Sequence, residues 1–333
     1  MVAVVVVIVA ANAAGWAYTR SQASGSKLPG IGVIRPPHEV RTLVLDGHKL
    51  LAGGRDGVFA IDTRTLAVTR PYDSQRLGLG QVRGLLLEAD RTLWIAHDRG
   101  LTRVKGSSAR TFTTADGLPS NRATCLLAAR DGRLWVGTAS GAAVMEGERF
   151  TAMTSKDGLL DDNVNAMAQD RDGGLWFGSY VAPRGGISVL RDGQWYRFAL
   201  EDGLPHANVT CFLLAADGSM WAGTGFDNRG GAVHFDIPSK GGQPRISGTL
   251  SKADGLAGDK VRALYQDGRG GIWFASELDG LAAPNGSGFR ILTRAQGLSD
   301  NETKVMVPAA DGTLWLGTRD GITYIREHMT LGS

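Results

Sequence analysis

The stretch Asp131-Gly132-Arg133-Leu134-Trp135-Val136-Gly137-Thr138 reads as a tight Asp-Gly turn followed by a short apolar strand, and it recurs along the chain. Further copies centre on Trp94, Trp176, Trp221, Trp273 and Trp315, in WIAH, WFGS, WAGT, WFAS and WLGT. A weaker copy is Leu51-Ala52-Gly53-Gly54 after Asp46-Gly47, with Leu51 in place of the tryptophan. Successive anchors lie 43, 41, 41, 45, 52 and 42 residues apart. A period of roughly 40 to 45 residues with four short strands per unit is the signature of propeller blades. Seven copies therefore predict an all-β fold, a single seven-bladed β-propeller over residues 31–327.

A second signal keeps a fixed distance from the first. Asp116-Gly117-Leu118, Asp157-Gly158-Leu159, Asp202-Gly203-Leu204, Asp254-Gly255-Leu256 and Gln296-Gly297-Leu298 each place their glycine 18 residues before the next tryptophan. Leu77-Gly78-Leu79 holds the place in the second repeat, with a gap of 16. A glycine there supplies a positive φ for a compact turn between blades.

In the third repeat the pattern predicts strands over Ala123 to Ala128, Leu134 to Thr138, Ala142 to Met145 and Arg149 to Met153. The first of these is the inner strand, packed on both faces and so continuously apolar. Matching inner runs are Val82 to Leu87, Val164 to Ala168, Val209 to Leu214, Val261 to Tyr265 and Thr303 to Val307. Six tryptophans in equivalent places are read as packing between blades, not as a sugar-stacking platform. The seventh repeat has no outer strand after Ile322 to Arg326, and residues 31 to 35 have no other role; pairing the two closes the ring.

Net charge of +3 over 333 residues, with no Lys/Arg run, argues against nucleic acid as a partner. Residues 1–19 are strongly apolar, long enough at about 1.5 Å per residue to approach a bilayer core, and read as a signal peptide or a membrane anchor. No basic residue precedes that run, which a start further upstream would explain. Periplasmic or extracytoplasmic placement follows, with membrane contact through residues 1–19 if they are uncleaved. Residues 20–30 read as a Ser/Gly-containing linker and 328–333 as a tail. Cys125 and Cys211 fall on inner strands a whole blade apart, too far for a disulfide.

Candidate binding residues form two groups. Between the second and third strands, Ser179 to Gly186 in the fourth blade and Thr224 to Gly231 in the fifth are each about four residues longer than their counterpart, and both end in Arg-Gly-Gly. A shared lip of Tyr180, Arg184, Phe226, Asp227 and Arg229 is expected there, with His206 in a neighbouring blade-to-blade loop. An arginine fork grips carboxylate, sulfate or phosphate, and an aromatic ring stacks on a sugar. The alternative is that the arginines pair with nearby acids and the glycines merely widen a turn. The second group occupies one position near the start of each inner strand: Arg41, Arg83, Thr124, Asn165, Thr210, Arg262 and Lys304. Its basic members, Arg41, Arg83, Arg262 and Lys304, lie in contiguous blades and would make half the channel rim positive, unless Asp259, Glu302 or Glu39 neutralise them.

The six histidines share no metal-ligand spacing, and the HExxH, nucleophile-elbow and phosphate-loop motifs are absent, so no enzyme, metal or cofactor is expected.

Asp-Gly-Leu, an inner strand, Asp-x-Asp-Gly and Leu-Trp-x-Gly-Thr in this order resemble the two-component regulator propeller repeat, best in Asp157 to Ser179 and Asp116 to Thr138, over residues 40 to 325. The resemblance implies an extracytoplasmic sensor that recognises a small anionic molecule or glycan, with a histidine kinase or another signalling partner. Family members usually carry two propellers, an immunoglobulin-like domain, a membrane span and a kinase. A lyase of the virginiamycin B type and a protein-interaction platform are the alternatives.

Overall fold

A computed structural model describes residues 20–22, 27–239 and 242–326; the apolar run 1–19 and the tail 328–333 lie outside the described residues. Seven sheets follow one another, each built on four antiparallel strands. Their inner strands are Val40–Asp46, Val82–Leu87, Ala123–Ala128, Val164–Gln169, Val209–Leu214, Val261–Gln266 and Thr303–Pro308, and each packs against the next until the seventh meets the first. We number the blades 1 to 7 in that order. Strand limits in blade 3 follow the sequence pattern to within a residue, with the third strand at Gly141–Glu146. Blade 7 takes its outer strand from Ile31–Ile34, which runs antiparallel to Gly321–Arg326 with Gly32 opposite Tyr324 and Ile34 opposite Ile322.

The tryptophans lie between blades. Trp94, Trp135, Trp176, Trp221, Trp273 and Trp315 are all buried, and Trp135, Trp176 and Trp221 meet Phe177, Phe212 and Phe274 of the following blade edge to face. Two residues beyond the tryptophan a small residue is required. A Cβ at Gly137, Gly178 or Gly317 would run into the first valine of the next inner strand, Val164, Val209 or Val40. Blades 2 and 6 carry alanine there, Ala96 and Ala275.

The Asp-Gly-Leu turns form by one chemistry. Asp116, Asp202 and Asp254 accept a hydrogen bond from the backbone N–H three residues earlier, and Gln296 does the same through its amide oxygen. Their glycines have φ of 103°, 99°, 105° and 116°, and the leucines that follow are buried.

One further pattern emerges in the turns between first and second strands. Asp170 and Asp267, each six residues before its tryptophan, accept from the indole N–H of Trp176 and Trp273 at 3.0 Å. Trp94, Trp135 and Trp315, preceded at that position by Glu88, Ala129 and Ala309, have indole N–H groups with no partner among the described residues. The two aspartates also go with glycine four residues on, Gly174 and Gly271, where a Cβ would press on the carboxylate; the others carry Thr92, Arg133, Ser219 and Thr313.

Two readings change. Arg20–Gln22, assigned to a linker, pairs in parallel with Phe289–Ile291 as a fifth strand on blade 6, and Leu28 donates its N–H to the Gln296 carbonyl. In blade 5 the extra residues are not a loop. Met220–Phe226 and Arg229–Asp236 simply continue as a longer hairpin closed at Asp227-Asn228, with Asp227 at φ 51°.

Candidate functional site

The turns between blades and those between second and third strands open on one face of the disc, and two clusters of polar side chains gather there. The first is the lip of blades 4 to 6. Phe226, at the tip of the blade 5 hairpin, is 46% exposed, an unusual setting for a large apolar ring. Between it and Tyr180 lies the Lys260 ammonium, 5.3 Å from the Phe226 ring centre and 5.8 Å from that of Tyr180. Lys260 is nearly buried and ion-paired to Glu277. An ammonium over two aromatic faces is favoured by the ring quadrupole, so the pair of rings fixes the cation and the cation orders the rings.

His206 stands beside this group. Its Nδ1 accepts from the Asn208 N–H at 3.0 Å, which leaves Nε2 to carry the proton of the neutral ring. Burial, and then the Arg229 and Lys260 charges, hold its pKa below the ordinary value, so the ring stays neutral near pH 7. Asn208, 4% exposed, leaves its side-chain oxygen without a partner among the described residues. Arg184 and Arg229 make no ion pair among the described residues, and Arg184 lies in the loop whose Gly185 abuts the Ala207 carbonyl. Asp227 occupies the hairpin turn and makes no ion pair among the described residues. Sequence reasoning named Tyr180, Arg184, Phe226, Asp227, Arg229 and His206 for this lip; it did not name Lys260, Asn208 or Glu277, which the structure sets beside them. A signal existed: the residue before each inner strand is polar in every blade, Glu39, Gln81, Arg122, Asn163, Asn208, Lys260 and Glu302.

The second cluster is the channel mouth. In each of the seven blades the pairing of first and second strands skips one residue: Arg41, Arg83, Thr124, Asn165, Thr210, Arg262 or Lys304. A bulge re-aims the side chain of the extra residue, and repetition of the bulge makes these seven a ring. In blades 3, 4 and 5 the ring residue ties its blade to the next. Thr124 Oγ1 donates to the Val164 carbonyl at 2.5 Å, Asn165 Nδ2 to Val209 at 3.1 Å, and Thr210 Oγ1 to Val261.

In the other four blades the ring is cationic. Lys304 bonds Glu39 at 2.7 Å and lies 3.3 Å from Glu302; Arg41 and Arg319 each reach Glu39 at 3.7 Å, and Arg262 reaches Glu302 at 3.7 Å. Arg83 bonds Asp98 at 2.6 Å, which Arg122 also approaches at 3.8 Å. Of the neutralising acids anticipated from sequence, Glu39 and Glu302 are engaged, whereas Asp259 instead accepts from the Lys252 N–H. Burial alone would raise the Glu39 carboxyl, but the Lys304 hydrogen bond and the Arg41 charge hold it below the usual range.

A groove of about 480 Å³ on the side of blade 2, bounded by Asp90, Trp94, Arg103, Lys105 and Arg110, is separate from both clusters, and its cations are already taken by Asp90 and Glu148. Cys125 and Cys211 are unbridged, and burial pushes their thiols up to about 12 and about 11.

Fold and rim together define a closed seven-bladed propeller with two polar clusters on one face. Four stretches, residues 117–140, 158–181, 203–226 and 255–277, match the family described as two component regulator propeller. No curated protein matches the chain by sequence. Among solved structures the chain is similar to the extracellular domain assigned to a hybrid two component system of B. thetaiotaomicron, at 18% identity and a TM-score of 0.76, over 90% of this chain and 41% of that one. It is similar to PorZ, an essential bacterial surface component of the type-IX secretion system of Porphyromonas gingivalis, at 15% identity and a TM-score of 0.68, over 95% and 49% of the two chains. It is also similar to virginiamycin B lyase from Staphylococcus aureus, at 12% identity and a TM-score of 0.65, over 89% and 98%. The chain spans about two fifths of the length of the first of these. At such identities the likeness carries the fold alone. Among the described residues no helix is long and apolar enough to cross a membrane.

Proposed function

We propose that the protein is an extracytoplasmic, sensor-type propeller that binds an anionic small molecule or glycan at the lip of blades 4 to 6. The observation that carries this is the Lys260 ammonium held between the Tyr180 and Phe226 rings, with Phe226 exposed and Arg229 and His206 alongside. Phe226 offers a stacking face, Arg184 and Arg229 offer unspent guanidinium donors, and the Asn208 side-chain oxygen offers an acceptor for a ligand hydroxyl. Long extensions on a rigid scaffold are where such contacts are usually found. Extracytoplasmic placement is supported by the apolar run 1–19, and signalling through a kinase or another partner by the family of the repeats.

A thermal-shift screen of the full chain against acidic oligosaccharides tests the reading. A ligand that binds only the folded state raises stability by about 2.7 kcal/mol at a hundredfold excess over its Kd. Lys260→Met and Phe226→Ala are expected to weaken such a ligand by roughly tenfold or more, the loss of one charge-assisted or stacking contact. Binding that is indifferent to both substitutions would sink the lip. Turnover of a bound substrate would favour the lyase, and a protein that co-purifies stoichiometrically while no small ligand binds would favour the interaction platform.

A further inference from the structure

We infer that the channel mouth is a second binding site, independent of the lip, for a small tetrahedral oxyanion of the phosphate or sulfate class, with Arg41 as its central donor. Six cations, Arg41, Arg83, Arg122, Arg262, Lys304 and Arg319, share three carboxylates, Glu39, Asp98 and Glu302. Six less three leaves an excess of three positive charges at one end of a channel, where low-dielectric walls concentrate their field.

The excess has a focus. Arg41 is held by one carboxylate at 3.7 Å, beyond hydrogen-bond range, and its Nε is buried with no partner among the described residues. A buried donor of this kind carries the full desolvation cost unless an acceptor reaches it. Arg83 and Arg262 come in from the neighbouring blade and from two blades away, and both sit near enough to press on Arg41 electrostatically. Burial, and then these two charges, lower its pKa against the opposing pull of Glu39 and Glu302. Three guanidinium groups from three blades, set against each other around a central space, are the complement of an oxygen-rich anion. A carboxylate brings one charge and two oxygens; a tetrahedral dianion answers an excess of three charges better and offers acceptors to all three arginines.

The arrangement is built, not incidental. The backbone bulge that aims each of these side chains is repeated in every blade, yet blades 3 to 5 spend the position on hydrogen bonds to the next blade, and only blades 6, 7, 1 and 2 place a cation there.

The test is calorimetric titration of the full chain with inorganic phosphate, inorganic sulfate, acetate and a sugar phosphate monoester at low ionic strength. Phosphate or sulfate is expected to bind at one site more tightly than acetate, and the ester is expected to match or exceed the free ion, which separates the two sources of the same group. Arg41→Met is expected to weaken the dianion at least about tenfold, while Phe226→Ala leaves it unchanged. Should Arg41→Met fail to melt cooperatively, Arg262→Gln carries the same expectation. No binding of either dianion, acetate binding as tightly as phosphate, unchanged affinity in a folded Arg41 or Arg262 variant, or an equal loss in Phe226→Ala would each overturn the site; the last would place the anion at the lip.

Discussion

Asp170→Ala is expected to lower the unfolding temperature by roughly 6 to 10 °C. Asp170 is fully buried in blade 4 and accepts from the Gly174 N–H at 2.8 Å, the Asp172 N–H at 3.1 Å and the Trp176 indole at 3.0 Å. It also faces the Arg191 guanidinium at 3.1 Å, and Arg191, 3% exposed, reaches on to the Gly242 carbonyl in blade 5 at 2.7 Å. Removing one side of a buried pair costs about 3–5 kcal/mol: Arg191 stays buried with only the exposed Asp172 carboxylate, at 2.8 Å, as counter-ion, and three donors lose their acceptor. For a chain of this size about 2 °C per kcal/mol is expected, which gives the range above. Asp267→Ala is the internal comparison. It holds the same turn and indole in blade 6 but has no ion pair with a buried arginine, so its loss should be nearer 1–3 kcal/mol. Calorimetry on both variants decides: equal losses would show that Arg191 adds nothing.

Deleting residues 31–35 should cost about as much. Ile34 is 6% exposed and packs with Trp315 and Val40, and Ile31 packs against Leu298 and Ile325. Losing the burial of Ile34 and the half-burial of Ile31 costs about 2–5 kcal/mol, before the lost ladder of hydrogen bonds is counted. The deletion also bares the edge of Gly321–Arg326, and an open edge recruits strands from other molecules. A melt lowered by roughly 6–12 °C, with mass that grows with concentration, is the expected result. An unchanged melt and a monomer would mean that blade 7 is stable with three strands.

These two variants mark what could be read from residues alone and what could not. The period of the tryptophans, the Asp-Gly-Leu turns and the lone strand at residues 31–35 specify the number of blades and their closure, since each is a local pattern repeated at a fixed interval. Asp170 was visible only as a turn residue. Its service to Trp176 and Arg191 depends on contacts that no linear spacing reveals. At the rim, loop length pointed to Tyr180 and Phe226, but Lys260 belongs to the next blade and enters the lip only once the blades are stacked. The basic ring was recognisable as a column of equivalent positions. The bulge that aims it needs the partner strand to be seen, and the balance of six cations against three carboxylates needs the loops that bring in Asp98 and Arg319.

Both rim clusters presuppose a closed ring, and a designed crosslink tests that most directly. Gly32 and Tyr324 are paired residues of adjacent antiparallel strands, a spacing of about 4.5–5.5 Å that a disulfide spans. The Tyr324 ring fills the space a side chain at Gly32 would need, so replacing both, Gly32→Cys with Tyr324→Cys, makes room for the bridge. After mild oxidation of the folded chain, peptide mapping should find residue 32 linked to residue 324 within one molecule, with the native Cys125 and Cys211 thiols still free. A chain in which the two introduced thiols stay reduced, or join only between molecules, would contradict the closed ring.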